Sequence, residues 1–122
     1  MKSPSSTINQ IVRDAKKGKI FILVDNKDRE NEGDLVVPAS KINAKKINFM
    51  AKHGRGLICL ALTPQKVKKL NLKLMSLVNK SRTQTAFTIS IEARKGISTG
   101  ISAHDRAKQS KLQLENQQQK KI

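Results

Sequence analysis

An uninterrupted apolar run, Ile20-Phe21-Ile22-Leu23-Val24, leads straight into the polar segment Asp25 to Asp34, and apolar residues resume at Leu35-Val36-Val37. A run this short and rich in branched side chains reads as a buried strand. The polar segment must then leave the end of that strand as a loop. It holds Asp25, Asp28, Glu30, Glu32 and Asp34, five of the nine acids in a chain that carries 25 Lys and Arg and a net charge of +16. A loop directly after a buried strand lies where open α/β sheets commonly bind ligands.

The rest of the chain alternates helical and extended patterns. Ile8, Ile11, Val12 and Ala15 recur at helical spacing and Gly18 follows, which predicts a first helix over Thr7 to Lys17. Asn43 can cap a second helix that carries Ile47, Met50 and Ala51 and ends at Gly54. Gly56 to Leu62 is a predicted strand, and Thr63-Pro64 opens a short helix to about Leu70. The stretch Asn79 to Gln84 reads as a loop, and Phe87 to Glu92 alternates as a strand with one buried face. Such intermingling predicts an α/β fold, an α+β-like sandwich of mixed sheet with flanking helices, in a single truncated domain.

Composition narrows the function classes. With 122 residues the chain has room for one modest core. No apolar run approaches the roughly 20 residues needed to cross a membrane, and the polar start lacks a secretory signal, so a cytoplasmic location and no membrane partner are expected. The positive charge invites a nucleic-acid reading. However, the lysines are scattered, Tyr and Trp are absent, and Phe21, Phe49 and Phe87 sit inside apolar patterns, leaving little for base stacking. A small basic anion- or RNA-binding protein is therefore the alternative reading and an enzyme the first.

Oxygen ligands clustered in one loop suit Mg²⁺ or Mn²⁺, and the embedded Arg29 could grip a carboxylate or phosphate with its planar fork. The same residues also fit an ordinary solvated acidic turn. Cys59, the lone cysteine, lies in Leu57-Ile58-Cys59-Leu60 and fits a buried small hydrophobe. Near the end, Ser102 can cap a helix with Asp105 reciprocating, which leaves His104 in an exposed first turn without a catalytic role. The start of that helix, with Thr99 and Arg106 nearby, offers a seat for an anion.

The ordered string Asp28-Arg29-Glu30-Asn31-Glu32-Gly33-Asp34-Leu35 resembles the signature of the 3,4-dihydroxy-2-butanone 4-phosphate synthase family. Three more stretches agree in order and spacing: His53 to Leu60, Thr85 to Ile91, and Gly96 to Ala107. The resemblance implies conversion of ribulose 5-phosphate, a small phosphorylated sugar, into 3,4-dihydroxy-2-butanone 4-phosphate and formate with Mg²⁺ or Mn²⁺, in a homodimer with sites near the subunit interface. By position it makes Glu30 the metal ligand and Arg29 and Asp34 substrate contacts. Asp25, Glu32 and Cys59 fall in the same site, with Asp25, Glu30 and Glu32 as the catalytic carboxylates. Thr99 and Arg106 are further substrate-binding candidates.

The motifs stop at Ala107, so residues 1–107 are expected to form the front of the synthase domain and 108–122 a polar tail outside it. The family continues with a Pro-Gly-His stretch, a Gly-His-Thr stretch and a later glutamate, and the second histidine is the other metal ligand. Without them the chain is expected to be an inactive fragment whose tail adds nothing to the core and at most extends, through Leu112 and Leu114, the helix begun at Ser102. Reading the tail's codons one base back from Gln109 permits Thr-Ile-Lys-Ile-Ala-Ile, which resembles the family's continuation. A lost nucleotide near the Lys108 codon is therefore the expected origin of the tail.

Overall fold

The computed structural model describes residues 5–78, 80 and 85–112, together with the backbone of 119–121. Helix α1, Ile8–Lys16, starts at Thr7, whose hydroxyl accepts from the Gln10 amide while the Gln10 side chain accepts from the Thr7 amide. This reciprocal capping satisfies donors that helix geometry leaves orphaned. It ends at Gly18, at φ +78°, where the Gly18 amide donates to Ala15 and that of Lys19 to Asp14. A side chain at this position would collide with the Cβ of Lys41, so both conformation and space call for glycine.

Strand β1, Phe21–Val24, pairs antiparallel with β2, Gly33–Val36, in the register Phe21 opposite Val36 and Val24 opposite Gly33. The acidic segment is therefore the loop of a hairpin, and not the edge of an open parallel sheet as its position after a strand implied. The expectation of a buried strand also needs correction. Ile22, Leu23 and Val24 are 63%, 59% and 70% exposed, because among the described residues β1 has only β2 beside it and no layer over this end.

After a 3₁₀ turn at Ala39–Lys41, helix α2, Ala44–Phe49, is capped by the Asn43 side chain accepting from the Lys46 amide. It continues as a π turn over Met50–Gly54, and the left-handed residue that ends it is Arg55, one beyond the expected Gly54. Ile47 is buried and Met50 half-buried, but Ala51 faces solvent. Helix α3, Pro64–Lys69, is capped by Thr63 and closes with Asn71 in the left-handed position that glycine usually fills.

Two expected strands are only partly realised. Among the described residues, 57–62 lie in no strand. The Phe87 to Glu92 stretch divides: Thr88 bridges to Leu74, and Ile91–Ala93 forms β3, which pairs antiparallel with β4, Gln119–Lys121. The expected loop over 79–84 falls almost wholly outside the described residues. Helix α4, Ala103–Leu112, passes beyond Ala107 without a break, so the start of the tail extends the fold. Lys108 reaches the Gly96 carbonyl through its ammonium, and β4 supplies the edge partner of β3. The extension of the helix to Leu112 was expected; only the edge pairing of β4 goes beyond that expectation.

The core is small. Ile42, Ile47 and Ala107 form its buried centre, with Val37, Met50, Ile58 and Ala103 packed against them, so it sits where α4 crosses α2. Mixed helices and antiparallel strands make an α/β architecture, as the sequence implied. No helix among the described residues is long and apolar enough to cross a membrane.

Candidate active site

The acidic loop is organised by its own first two residues. Asn26 accepts from the Asp28 amide through its side chain and from the Arg29 and Asn31 amides through its carbonyl. Asn31 takes a left-handed conformation at φ 51°, which asparagine tolerates better than branched residues do. The Asp25 amide donates to the Glu32 carbonyl and closes the loop over the end of the hairpin. These bonds turn a polar, glycine-poor segment into a fixed platform.

On this platform Asp25, Arg29 and Glu30 form one cluster. One Asp25 oxygen receives both the Arg29 guanidinium, at 2.8 Å, and the Glu30 amide, at 3.2 Å. The guanidinium also lies 3.4 Å from a Glu30 carboxylate oxygen and 3.4 Å from the Thr85 hydroxyl. Arg29 thus ties the loop to the segment before β3. The hydrogen bond from Arg29, helped by the Asn26 and Glu30 amides, holds the Asp25 carboxyl below the usual carboxylate range. The same hydrogen bond, together with the charges of Glu30 and Asp34, raises Arg29 above its ordinary value.

Asp34, on β2, is exposed and aligned opposite Leu23. Its charge acts on Arg29 and on Cys59, whose thiol is pushed up first by burial and then by Asp34. The side chain of Cys59 is exposed, which corrects the reading of a buried small hydrophobe. Asp28 and Glu32 face solvent. Among the described residues, no hydrogen bond or ion pair joins Thr99 or Arg106 to the acidic loop.

Around Thr99 the organising group is Asp105, which sequence reading had treated only as half of a cap. It is 3% exposed and accepts from the Ser98 amide and hydroxyl and from the Gly100 amide, while its own amide donates to the Ser102 hydroxyl. Burial pushes its carboxyl up, but the hydrogen bonds from Ser98, Ser102 and Gly100 outweigh that and hold it low. Gly100, at φ +79°, lets Glu92 approach where a Cβ would stand 2.7 Å from its carboxylate. His104 is exposed in the first turn of α4, as the capping pattern implied.

The donor chemistry of the loop matches a hard divalent cation, which commonly takes one or two carboxylates and fills its other positions with water and substrate oxygens. Glu30, with its side chain 28% exposed beside Arg29, is placed for one such bond. Among the described residues no group of three or more His, Cys, Asp or Glu converges on one point. The loop therefore groups hard oxygen donors without enclosing a cation.

A family model for 3,4-dihydroxy-2-butanone 4-phosphate synthase matches residues 9–122. A synthase of that name from Pseudomonas aeruginosa is 48% identical over 103 residues, which is 84% of this chain and 28% of that protein. The riboflavin biosynthesis protein RibBA of Aquifex aeolicus is 49% identical over 111 residues, 89% of this chain and 27% of that protein. Among solved structures, a synthase in complex with two magnesium ions superposes with a TM-score of 0.88 at 34% identity, over 94% of this chain and 54% of the other. RibBX, a two-domain synthase from A. baumannii, gives a TM-score of 0.79 at 46% identity over 93% of this chain and 33% of its own. This chain thus spans just over a quarter of each of these two curated relatives, and its mixed fold, its ordered motifs and its acidic loop all fall within the matched region. The chain belongs to the 3,4-dihydroxy-2-butanone 4-phosphate synthase family.

Proposed function

We propose that this chain carries the substrate-facing acidic loop of a lyase that converts D-ribulose 5-phosphate into 3,4-dihydroxy-2-butanone 4-phosphate and formate, using Mg²⁺ or Mn²⁺. The complete synthase would act as a cytoplasmic homodimer. The observation that carries this reading is the cluster at the hairpin end, where Asp25 fixes both the Arg29 guanidinium and the Glu30 backbone.

In this arrangement Asp25 acts by positioning, since its carboxylate is engaged by Arg29 and the loop amides. Glu30 is the proposed metal-holding residue, and the exposed Glu32 is free to exchange protons with substrate. The guanidinium of Arg29 and the side chains of Asp34 and Cys59 would orient the sugar phosphate, with Thr99 and Arg106 contributing once the α4 end is brought into the site. A bound divalent cation would supply positive charge beside oxygens that become negative during enolisation and skeletal rearrangement.

Because the described residues give only part of a metal site, the 122-residue chain alone is expected to release little formate. Residues 108–122 are proposed to be read one base out of frame, which the coding DNA tests directly. The activity test measures formate from ribulose 5-phosphate with Mg²⁺, comparing this chain with a version continued through the family's Pro-Gly-His, Gly-His-Thr and glutamate segments. Release by the continued version alone, abolished by Glu30→Gln, is expected. Equal rates from the two, or activity indifferent to Glu30→Gln, would overturn the assignment.

A further inference from the structure

The hairpin sets Phe21 opposite Val36 and Val24 opposite Gly33, so α1, which precedes β1, and the 3₁₀ turn and α2, which follow β2, all attach at its open end. The acidic loop closes the other end. Lysines scattered along the sequence are thereby gathered at the open end, with Gly18 as their meeting point. A Cβ on Gly18 would stand 2.9 Å from the Cβ of Lys41 and 3.0 Å from the ammonium of Lys46, which donates to the Lys41 carbonyl at 2.7 Å. Arg13, Lys16, Lys17 and Lys41 are exposed, and among the described residues their side chains take part in no hydrogen bond or ion pair. Asp14 is the only acid before Asp25, and Lys19 holds it at 3.0 Å. From Leu35 to Ile91 the chain has no Asp or Glu at all. Four strand residues at about 3.3 Å each set the acidic loop roughly 13 Å from this basic pole. That exceeds the screening length of about 8 Å at 0.15 M salt, so the loop does little to repel an anion seated here.

The chemistry of the pole selects its partner. A depression of about 310 Å³ along α1 is lined by Ser6, Gln10, Arg13, Asp14 and Lys17, with no apolar side chain among them. An acidic peptide would need apolar pockets or a strand edge, which this lining does not offer. A lipid surface would need apolar side chains beside the cations. Ile8 and Val12 are exposed, but at about 100° per residue they lie on the side of α1 opposite Arg13 and Lys17. A single nucleic-acid strand asks for aromatic platforms, and neither α1 nor residues 37–46 contain an aromatic residue. The duplex backbone asks only for cations. It carries a phosphate charge about every 1.7 Å of its axis, and each one neutralised releases counterions.

We propose that this basic pole docks double-stranded nucleic acid by its phosphate backbone, without reading sequence. The proposal stands apart from the reaction and uses no residue of the acidic loop, so the failure of either leaves the other standing.

The test titrates the 122-residue chain against a fluorescent DNA duplex of roughly 20 base pairs and scrambled sequence, between about 50 and about 200 mM sodium chloride. With about four phosphates engaged, by Arg13, Lys16, Lys17 and Lys41, log affinity should fall against log salt with a slope of about −3.6, roughly a hundredfold over this range. Changing three of these together, Arg13→Gln, Lys17→Gln and Lys41→Gln, should bring the slope to about −0.9 and cost at least roughly tenfold in affinity at the lowest salt. The control removes the same three charges at exposed positions elsewhere, by Lys52→Gln, Lys68→Gln and Lys73→Gln, and should leave the slope unchanged. If the first triple variant does not fold, Arg13→Gln alone should still reduce the slope by about 0.9, and no reduction counts against the proposal. Equal weakening by the two triple variants would assign binding to net charge and overturn it. So would affinity that is flat with salt, or tighter binding of the single strand, polyglutamate or phosphatidylserine vesicles than of the duplex. An RNA duplex of the same length should bind within about tenfold of the DNA, because backbone contacts carry no base information, and a larger preference for either would overturn docking by the backbone alone.

Discussion

Asp25 and Asp105 show how two acids on a strongly basic chain become structural before they become chemical. Each is the acceptor for several donors within its own short loop, and neither uses a long-range ion pair. Asp25 makes a sharp prediction. Its hydrogen bonds from Arg29 and from the Asn26 and Glu30 amides lower its folded pKa below the unfolded value. A group of that kind contributes its stabilisation fully above the unfolded pKa and loses it as pH falls through the folded one. The loop should therefore keep its order through the ordinary carboxylate range, about pH 4, and release Arg29 only below it. A carbon-detected NMR titration should place the Asp25 midpoint below the ordinary carboxylate value, with the Arg29 side-chain signals moving at the same pH. A midpoint at or above the ordinary value would remove the clamp from the explanation of the site. The sequence made this cluster legible because Asp25 and Arg29 are four residues apart and local geometry brings them together. Thr99 and Arg106 were legible only as helix-end residues, since nothing in their spacing says which distant loop they face.

At the scale of elements, the caps were the readable part. Asn43, Thr63 and Ser102 each meet an amide a few residues on, as the sequence indicated, an interaction that adjacent sequence wholly determines; Thr7, read as the first helical residue, is a cap of the same kind. Strands were less readable because a strand exists only through a partner elsewhere in the chain. Ile20 to Val24 was correctly extended, but its burial was inferred from apolarity while its only described neighbour is β2. Residues 57–62 carry a strand pattern in the sequence and pair with nothing described. The tail was misread for the opposite reason. Helix α4 runs to Leu112 as the sequence allowed, but the tail's polarity hid the pairing of β4 with β3, because main-chain bonding asks nothing of side chains. Deleting residues 113–122 should therefore destabilise the chain by about 2 kcal/mol, from a few ladder hydrogen bonds at about 1 kcal/mol each. Slowed amide exchange in Ile91 to Ala93 should disappear with the deletion. An unchanged melting temperature together with unchanged exchange would show that β4 contributes nothing.

At the scale of the whole molecule, two large effects oppose one another. Leu57, Leu77, Val24 and Ile22 are each more than 60% exposed, and the buried core holds few large side chains. Exposed apolar area on this scale favours association. Against it stands a net charge of +16 with a pI near 10.4, which makes every copy repel every other at neutral pH. Salt separates the two. Screening shortens the range of charge repulsion to about 8 Å at 0.15 M and about 3 Å at 1 M, while leaving apolar attraction in place. Light scattering from the chain at neutral pH should therefore rise steeply between low and high sodium chloride, and binding of an apolar dye to the monomer should already be strong at low salt. Scattering that stays flat with salt would mean that the exposed side chains are covered by contacts within the monomer.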